Sequence, residues 1–474
     1  MNCEIPRILI AGTGSGCGKT TVSCAVMKAM VDRGLRTAAF KCGPDYIDPM
    51  FHTRITGTRS TNLDSFFFDD AVLTGLLARN GAGMDVAVIE GVMGFYDGVG
   101  GVTPEASAWH VADVLDLPVV LVVRPKGASL SLSALVKGMQ TVPESASSLY
   151  GVDASILDSH IRGLILSDCS EMLYRSLKPM LEQETGLPVL GFLPHLEDAQ
   201  FESRHLGLVS AEEDPELQHK LDLLADAAEA HIDLDALLAL GDVPEEPSNA
   251  VAPAGAAAAF FRTPDVRIAV ASDEAFCFCY DETLDAFREA GMEPVFFSPL
   301  KDDHLPEPIQ ALYLPGGYPE LHAEELASNE DLRSAIREAV QSGLPAIAEC
   351  GGFLYLGQSL TTPEGETFPM AGVLPGTAEK TGRPVRFGYA ELTTNENTLV
   401  AAAGTPVRIH NFHYYESSER GGAYIATKPV SGRTYETGFG TETLYAGFPH
   451  LYFAGAPDVC ERIAAAARAF RDKR

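Results

Sequence analysis

Short apolar runs recur along the first half of the chain, separated by polar stretches with helical spacing. Positions 7–11, 37–41, 85–90, 118–123, 163–167 and 188–193 are rich in Val, Ile, Leu and Ala and read as buried strands. Helical patterns over 19–32, 69–79, 129–136 and 171–184 fall between them. Strands alternating with helices predict an α/β fold built on a mostly parallel sheet. The rhythm stops at 242–260, DVPEEPSNAVAPAGAAAAF, which has no period and is rich in Pro, Ala and Glu. That composition reads as a linker. A second alternation follows, with strands expected at 266–272, 294–297, 311–314 and 345–350 and helices at 281–290 and 332–342. The expected division is a first domain over 1–241, a linker over 242–263 and a second α/β domain over 264–474.

Length agrees with this division, because 474 residues exceed what one ordinary core serves. The formal charge of −30, from 35 basic and 65 acidic residues, argues against a nucleic-acid or anionic-membrane surface. No apolar run approaches the length of a membrane span, and the chain enters its first strand by Ile8, so no leader is expected. Nine cysteines without regular spacing make neither a disulfide framework nor a zinc site, and the Cys277-x-Cys279 pair has no second pair beside it. The expected compartment is the cytoplasm.

Candidate chemistry begins where the first strand ends. Gly14-Ser15-Gly16-Cys17-Gly18-Lys19-Thr20-Thr21 is a Gly-rich turn running into a helix. Glycines let backbone amides converge on phosphate oxygens, Lys19 adds a point charge, and Thr20 can hold Mg²⁺. The strict spacing wants glycine at Thr13, so this loop carries one extra residue. ATP is the expected ligand. Glu90 closes the strand Val86–Ile89 and is a second metal-ligand candidate. Lys41 closes another strand, followed by the expected loop Cys42-Gly43-Pro44-Asp45-Tyr46-Ile47-Asp48-Pro49. Strand ends on one edge gather around a ligand, so Lys41, Asp45, Asp48 and Glu90 are expected near the phosphates. From spacing alone, Asp45 and Asp48 serve a metal, a substrate or merely the turn. Arg204-His205 is a basic spot in an acidic chain.

In the second half, Ala346-Ile347-Ala348-Glu349-Cys350-Gly351-Gly352 is a strand running through a cysteine into a helix. Such a turn exposes a thiol, and small flanking residues permit it. The turn Leu314-Pro315-Gly316-Gly317 offers a further amide, so Gly317 and Gly351 are oxyanion-hole candidates. A base is needed, and spacing leaves His410, His413 and His450 open.

With these residues in place, the whole chain resembles the cobyrinic acid a,c-diamide synthases, glutamine-dependent amidoligases of corrinoid biosynthesis. The resemblance runs through the phosphate loop, the Lys41–Pro49 block, Glu90-Gly91-Val92-Met93-Gly94, Ser203-Arg204-His205-Leu206-Gly207-Leu208, Asp273-Glu274-Ala275-Phe276, Gly316-Gly317-Tyr318-Pro319-Glu320-Leu321 and Ala348-Glu349-Cys350-Gly351-Gly352. The Gly-Pro-Asp-Tyr-Ile-Asp-Pro block looks unlike the related cobyric acid synthases. The N-terminal half is similar to dethiobiotin synthetase, which implies a P-loop fold with the extra loop residue and matches Lys41 to that fold's lysine. The C-terminal half is similar to class I glutamine amidotransferases, implying a flavodoxin-like sheet.

For the base, the resemblance points to His450. A standard class I triad has Glu two positions later, where this chain has Tyr452, so a Cys350–His450 dyad is implied. Ser167 stands where related folds often carry an adenine-contacting Asn. The resemblance further implies ATP and Mg²⁺, with Thr20 and Glu90 on the metal and Lys19 and Lys41 stabilising charge. Asp45, Tyr46, Asp48, Arg204 and His205 are the implied substrate-binding residues. Expected partners are glutamine or ammonia and cobyrinic acid or a related tetrapyrrole polycarboxylate, hydrogenobyrinic acid and nickel-sirohydrochlorin included, with a homodimer allowed. The rival class is a nucleotide switch of the chromosome-partitioning type, which predicts no use for Cys350.

Overall fold

In the structure, a computed structural model describing residues 5–201, 203–204, 207–208, 216–242 and 263–473, the chain divides into two units, Met1–Ala256 and Ala257–Arg474. The N-terminal apolar runs become β1 (Arg7–Gly12), β2 (Thr37–Cys42), β4 (Val86–Glu90), β5 (Val119–Val123), β6 (Ile161–Ser167) and β7 (Val189–Leu193), joined by a short β3 (Ser60–Leu63). They form one parallel sheet in the order β3-β2-β4-β1-β5-β6-β7. Every residue of β4 and β5 is buried, as uninterrupted apolar strands covered on both faces must be. Chain direction across the sheet reverses around β1, so the loop after β1 sits at the crevice where α/β folds take ligands.

Two elements beside the phosphate loop differ from the sequence expectation. The stretch expected as a loop through Pro49 is the start of helix α2 (Ile47–Thr56); the earlier helix α1 spans Lys19–Asp32. Pro49 is tolerated because amides in a helix's first turn have no intrahelical acceptor to lose. The side chain of Asp45 accepts from the amides of Ile47 and Asp48 at 2.8 and 3.1 Å and so starts this helix. Strand β3, Ser-Thr-Asn-Leu, has too little apolar content to be read as a strand, yet all four residues are buried. Its Asn62 donates to the carbonyls of Gly43 and Asp45, holding the turn after β2.

In the second unit, the strands Met292–Phe297, Val266–Ala271, Ala311–Leu314, Ala346–Glu349 and Leu444–Gly447 lie side by side in that order, all parallel, with Phe439–Gly440 antiparallel at the edge. Alternation decides which core each side chain joins. Leu312, Leu314, Ala346 and Ala348 enter one cluster with Phe353 and Leu356, while Tyr313 and Ile347 enter another with Phe287, Phe453 and Ile463. A mainly antiparallel sheet follows, dominated by Thr377–Thr393 against Val407–Ser417. The sequence reading contains no strand there. Interior Gly and Pro and many charged residues hide the alternation in TAEKTGRPVRFGYAELT.

Candidate active site

The phosphate loop is held by contacts only glycine permits. A Cβ on Gly12 would lie 2.3 Å from the Cys17 sulfur and 2.7 Å from Cγ of Lys19. Gly16 and Gly18 have φ of 74° and 94°, the left-handed region that disfavours other residues. Ser15 and Gly16 form the exposed crest, Lys19 Nζ donates to the Gly14 carbonyl at 3.0 Å, and Thr20 and Thr21 lie in the first turn of α1. The Ser167 hydroxyl donates to the Cys17 carbonyl, so at the position where related folds often use Asn on adenine, this chain braces its own loop. Beside the loop is a cavity of about 350 Å³, lined by Gly18, Lys19, Thr20, Asp168, His195 and Gln200 among others. Across it Arg124 pairs with Asp168, which also meets His195 Nδ1 at 2.9 Å, while Arg124 reaches the Gly16 carbonyl at 3.4 Å. Nothing in the spacing of Arg124, Asp168 and His195 marks them beforehand.

Behind the loop the ends of β2 and β4 meet the start of α2 in a buried charge cluster. Lys41 Nζ lies 2.6 Å from Asp48 and 2.9 Å from Glu90, and donates to the Gly91 carbonyl at 3.0 Å. The Thr20 hydroxyl donates to Glu90 at 2.6 Å, with an Asp48 oxygen at 3.4 Å. His52, absent from the sequence reading, is fully buried and bridges Glu90 (2.8 Å) and Ser60 (3.2 Å). Burial opposes each charge, and the partners decide the outcome. It pulls Lys41 down, but Asp48 and Glu90 reverse this and hold the ammonium above its ordinary range. It pushes Glu90 up, but Lys41 and His52 hold it below the carboxylate range. Asp48 is raised by burial and by the neighbouring Asp45 and Glu90. Lys19 is lowered, mainly by burial.

Hydroxyl and carboxylate oxygens beside a phosphate loop are donors a magnesium ion accepts. Among the described residues no group of three His, Cys, Asp or Glu forms a metal cage. Lys41 already pairs with both Asp48 and Glu90, so a metal here would depend on Thr20, Glu90 and phosphate oxygens rather than on protein alone. Of the expected substrate residues, Asp48 joins the cluster, Tyr46 is buried at the turn and Asp45 caps α2. Arg204 contributes backbone to a two-residue ribbon with Gly207–Leu208, and His205 lies outside the described residues.

In the second unit, Cys350 stands between the strand Ala346–Glu349 and the helix Gly351–Leu356, with φ 47° and ψ −102°, a strained conformation for a side-chain-bearing residue. A Cβ on Gly352 would lie 2.1 Å from the Leu314 carbonyl oxygen, which is why the helix starts so close to the sheet. The Cys350 amide is committed to the Gly447 carbonyl at 2.8 Å, whereas the Gly351 amide turns toward the sulfur. The Gly317 nitrogen lies 3.0 Å from where a Cβ on Gly351 would project, so the amides proposed for an oxyanion are neighbours. The His450 ring packs on the same loop, with Cε1 2.7 Å from a Cβ built on Gly316.

The other histidines sit on the neighbouring strand: His410 pairs with His450 in register, ring centroids 6.4 Å apart, and His413 stacks on Phe448 at 4.0 Å. Burial, with the Glu320 charge behind it, pushes the Cys350 thiol up, and burial lowers His450 to about 4 and His413 to about 3, so the thiol and both imidazoles rest neutral. Tyr452, in the place of a triad Glu, stacks on Tyr280 at 4.3 Å.

Residues 8–209 match the CobQ/CobB/MinD/ParA nucleotide binding domain and residues 267–457 the CobB/CobQ-like glutamine amidotransferase domain. A nucleotide-binding unit and an amidotransferase unit on one chain make it a glutamine-dependent ligase. It is 39% identical to the cobyrinate a,c-diamide synthase of Salmonella typhimurium (97% of this chain, 98% of that one), 37% to that of Listeria innocua (96% and 97%) and 35% to that of Priestia megaterium (96% and 95%). The chain belongs to the cobyrinate a,c-diamide synthase family. No helix among the described residues is long and apolar enough to cross a membrane.

Proposed function

We propose that the chain uses ATP and glutamine to amidate the a and c carboxylates of cobyrinic acid in cobalamin biosynthesis. The observation that carries this reading is one chain holding both a braced phosphate loop, with Thr20 on Glu90 at 2.6 Å, and a strained Cys350 turn. In the second unit Cys350 attacks the side-chain amide of glutamine. His450 takes the thiol proton and returns it to the leaving ammonia, while the Gly317 and Gly351 amides receive the oxyanion. Water then releases glutamate from the thioester and restores the thiol. In the first unit a substrate carboxylate oxygen attacks the γ-phosphorus of ATP and ADP leaves, giving an acyl phosphate. Lys19 and Lys41 hold charge during that transfer, Thr20 and Glu90 would hold Mg²⁺, and the metal would neutralise charge on the phosphates. Ammonia attacks the acyl carbon and phosphate departs, because a bare carboxylate has no comparable leaving group. Asp45, Tyr46, Asp48, Arg204 and His205 are the proposed substrate contacts.

The test is mass spectrometry of product after incubation with ATP, Mg²⁺, glutamine and, in separate tubes, cobyrinic acid, hydrogenobyrinic acid and nickel-sirohydrochlorin. Successive carboxylate-to-amide steps stopping at the diamide are expected with cobyrinic acid. Conversion of another ring alone would reassign the substrate. Cys350→Ala should abolish glutamine-dependent synthesis and keep synthesis with ammonium. Loss of both in a folded protein would refute the division of labour.

A further inference from the structure

The base of the glutamine site has no carboxylate two residues after it, yet a carboxyl group reaches its backbone from the other side. Glu349 immediately precedes Cys350 and is fully buried. One oxygen accepts from the Leu451 amide at 2.8 Å, the residue after His450, and the other meets the Tyr313 hydroxyl at 2.8 Å. The same segment is tied at Gly447, whose carbonyl takes the Cys350 amide at 2.8 Å, and at Pro449, whose carbonyl takes the Tyr445 hydroxyl at 2.8 Å. Strand pairing with His410 holds His450 from the opposite flank. A buried carboxyl is costly in a core position that an apolar side chain would fill without penalty. Its partners connect the nucleophile's strand to the base's backbone.

Resting on the Cys350–His450 reading, we propose that Glu349 is a positioning residue that sets His450 against Cys350 through the Leu451 amide, replacing the ring-to-carboxylate bond of a triad. The tether needs an acceptor, not a charge, which agrees with burial lifting the Glu349 carboxyl to about 8.

Steady-state kinetics of the full chain test this. Glu349→Met keeps the length and fills the site but removes the acceptor. It should lower kcat with glutamine about ten- to a hundredfold, as misplacement of a reacting group does, with KM for glutamine and ammonium-supported synthesis unchanged. Glu349→Gln keeps an acceptor for Leu451 and should restore kcat to near the wild-type value. Wild-type kcat in Glu349→Met overturns the proposal. So does a Glu349→Gln that falls equally far, because charge would then be the working part. Loss of ammonium-supported synthesis in Glu349→Met also overturns it, in favour of a role in the fold at large. Cys350→Ala run alongside keeps the two readings apart: if it still uses glutamine, the dyad itself is wrong.

Discussion

The two sites solve burial in opposite ways. Beneath the phosphate loop, Lys41 and Glu90 are held charged by their contact, and Lys41 also meets Asp48. Around Cys350 three buried groups are held neutral instead: the thiol is pushed up, His450 sits at about 4, and Glu349 is lifted to about 8. The difference follows the ligands each would take. A polyanionic nucleotide meets a lattice of charges already compensated, so its arrival exchanges partners rather than creating charge in a dry site. Glutamine's amide is neutral, and so are the thiol and imidazole, which separate charge only while the proton moves.

Lys41→Met breaks the charged half of this comparison most severely. It leaves Asp48 and Glu90 buried without their cation, a loss of about 3–5 kcal/mol for breaking a buried pair. Urea unfolding should register that loss, and synthesis should vanish with either nitrogen source while Cys350-dependent glutamine hydrolysis persists. Unchanged synthesis with ammonium would remove Lys41 from the chemistry.

The neutral half has a pH signature. His450 and His413 titrate lower folded than their ordinary 6.5, so below that value the unfolded chain binds protons that the folded chain refuses. Their contribution to stability is therefore complete above about pH 6.5 and is lost as pH falls toward about 4 for His450 and about 3 for His413. By pH 5 the loss is about 2 kcal/mol for each ring, at 1.36 kcal/mol per pH unit. His413→Phe, which keeps a ring against Phe448, should shrink the fall in urea midpoint between pH 7 and 5. An equal fall would place the acid sensitivity elsewhere.

The smallest effect belongs to Ser167→Ala, which frees the Cys17 carbonyl at a cost of about 1 kcal/mol. It should raise KM for ATP a few-fold and leave glutamine hydrolysis untouched. An unchanged KM for ATP would show that the loop keeps its shape without this brace.

Legibility in the sequence followed how local the determining forces are. The first strand, the Gly-rich turn and the helix after it are adjacent in the chain, and their apolar runs and glycines state the geometry directly. The same holds for the Glu349-Cys350-Gly351-Gly352 turn, where missing Cβ atoms permit the close approach to Leu314. His52 was invisible because nothing in Phe51-His52-Thr53 tells a surface imidazole from one placed against Glu90 by the packing of α2. Three candidate bases could not be ranked by spacing because His410 and His450 become neighbours only through pairing of strands far apart in sequence. The partnership of Glu349 with Leu451 has the same long-range origin. Of the basic spot, only the Arg204 backbone falls among the described residues.

The bracing of the phosphate loop by Ser167 and by Lys19 on Gly14 bears on exchange kinetics. A loop already in its working shape has little conformational freedom left to surrender when a ligand docks. Nucleotide entry should then be governed by encounter, and the residence time of ADP by how quickly its own contacts release, with no slow refolding of the cradle between turnovers.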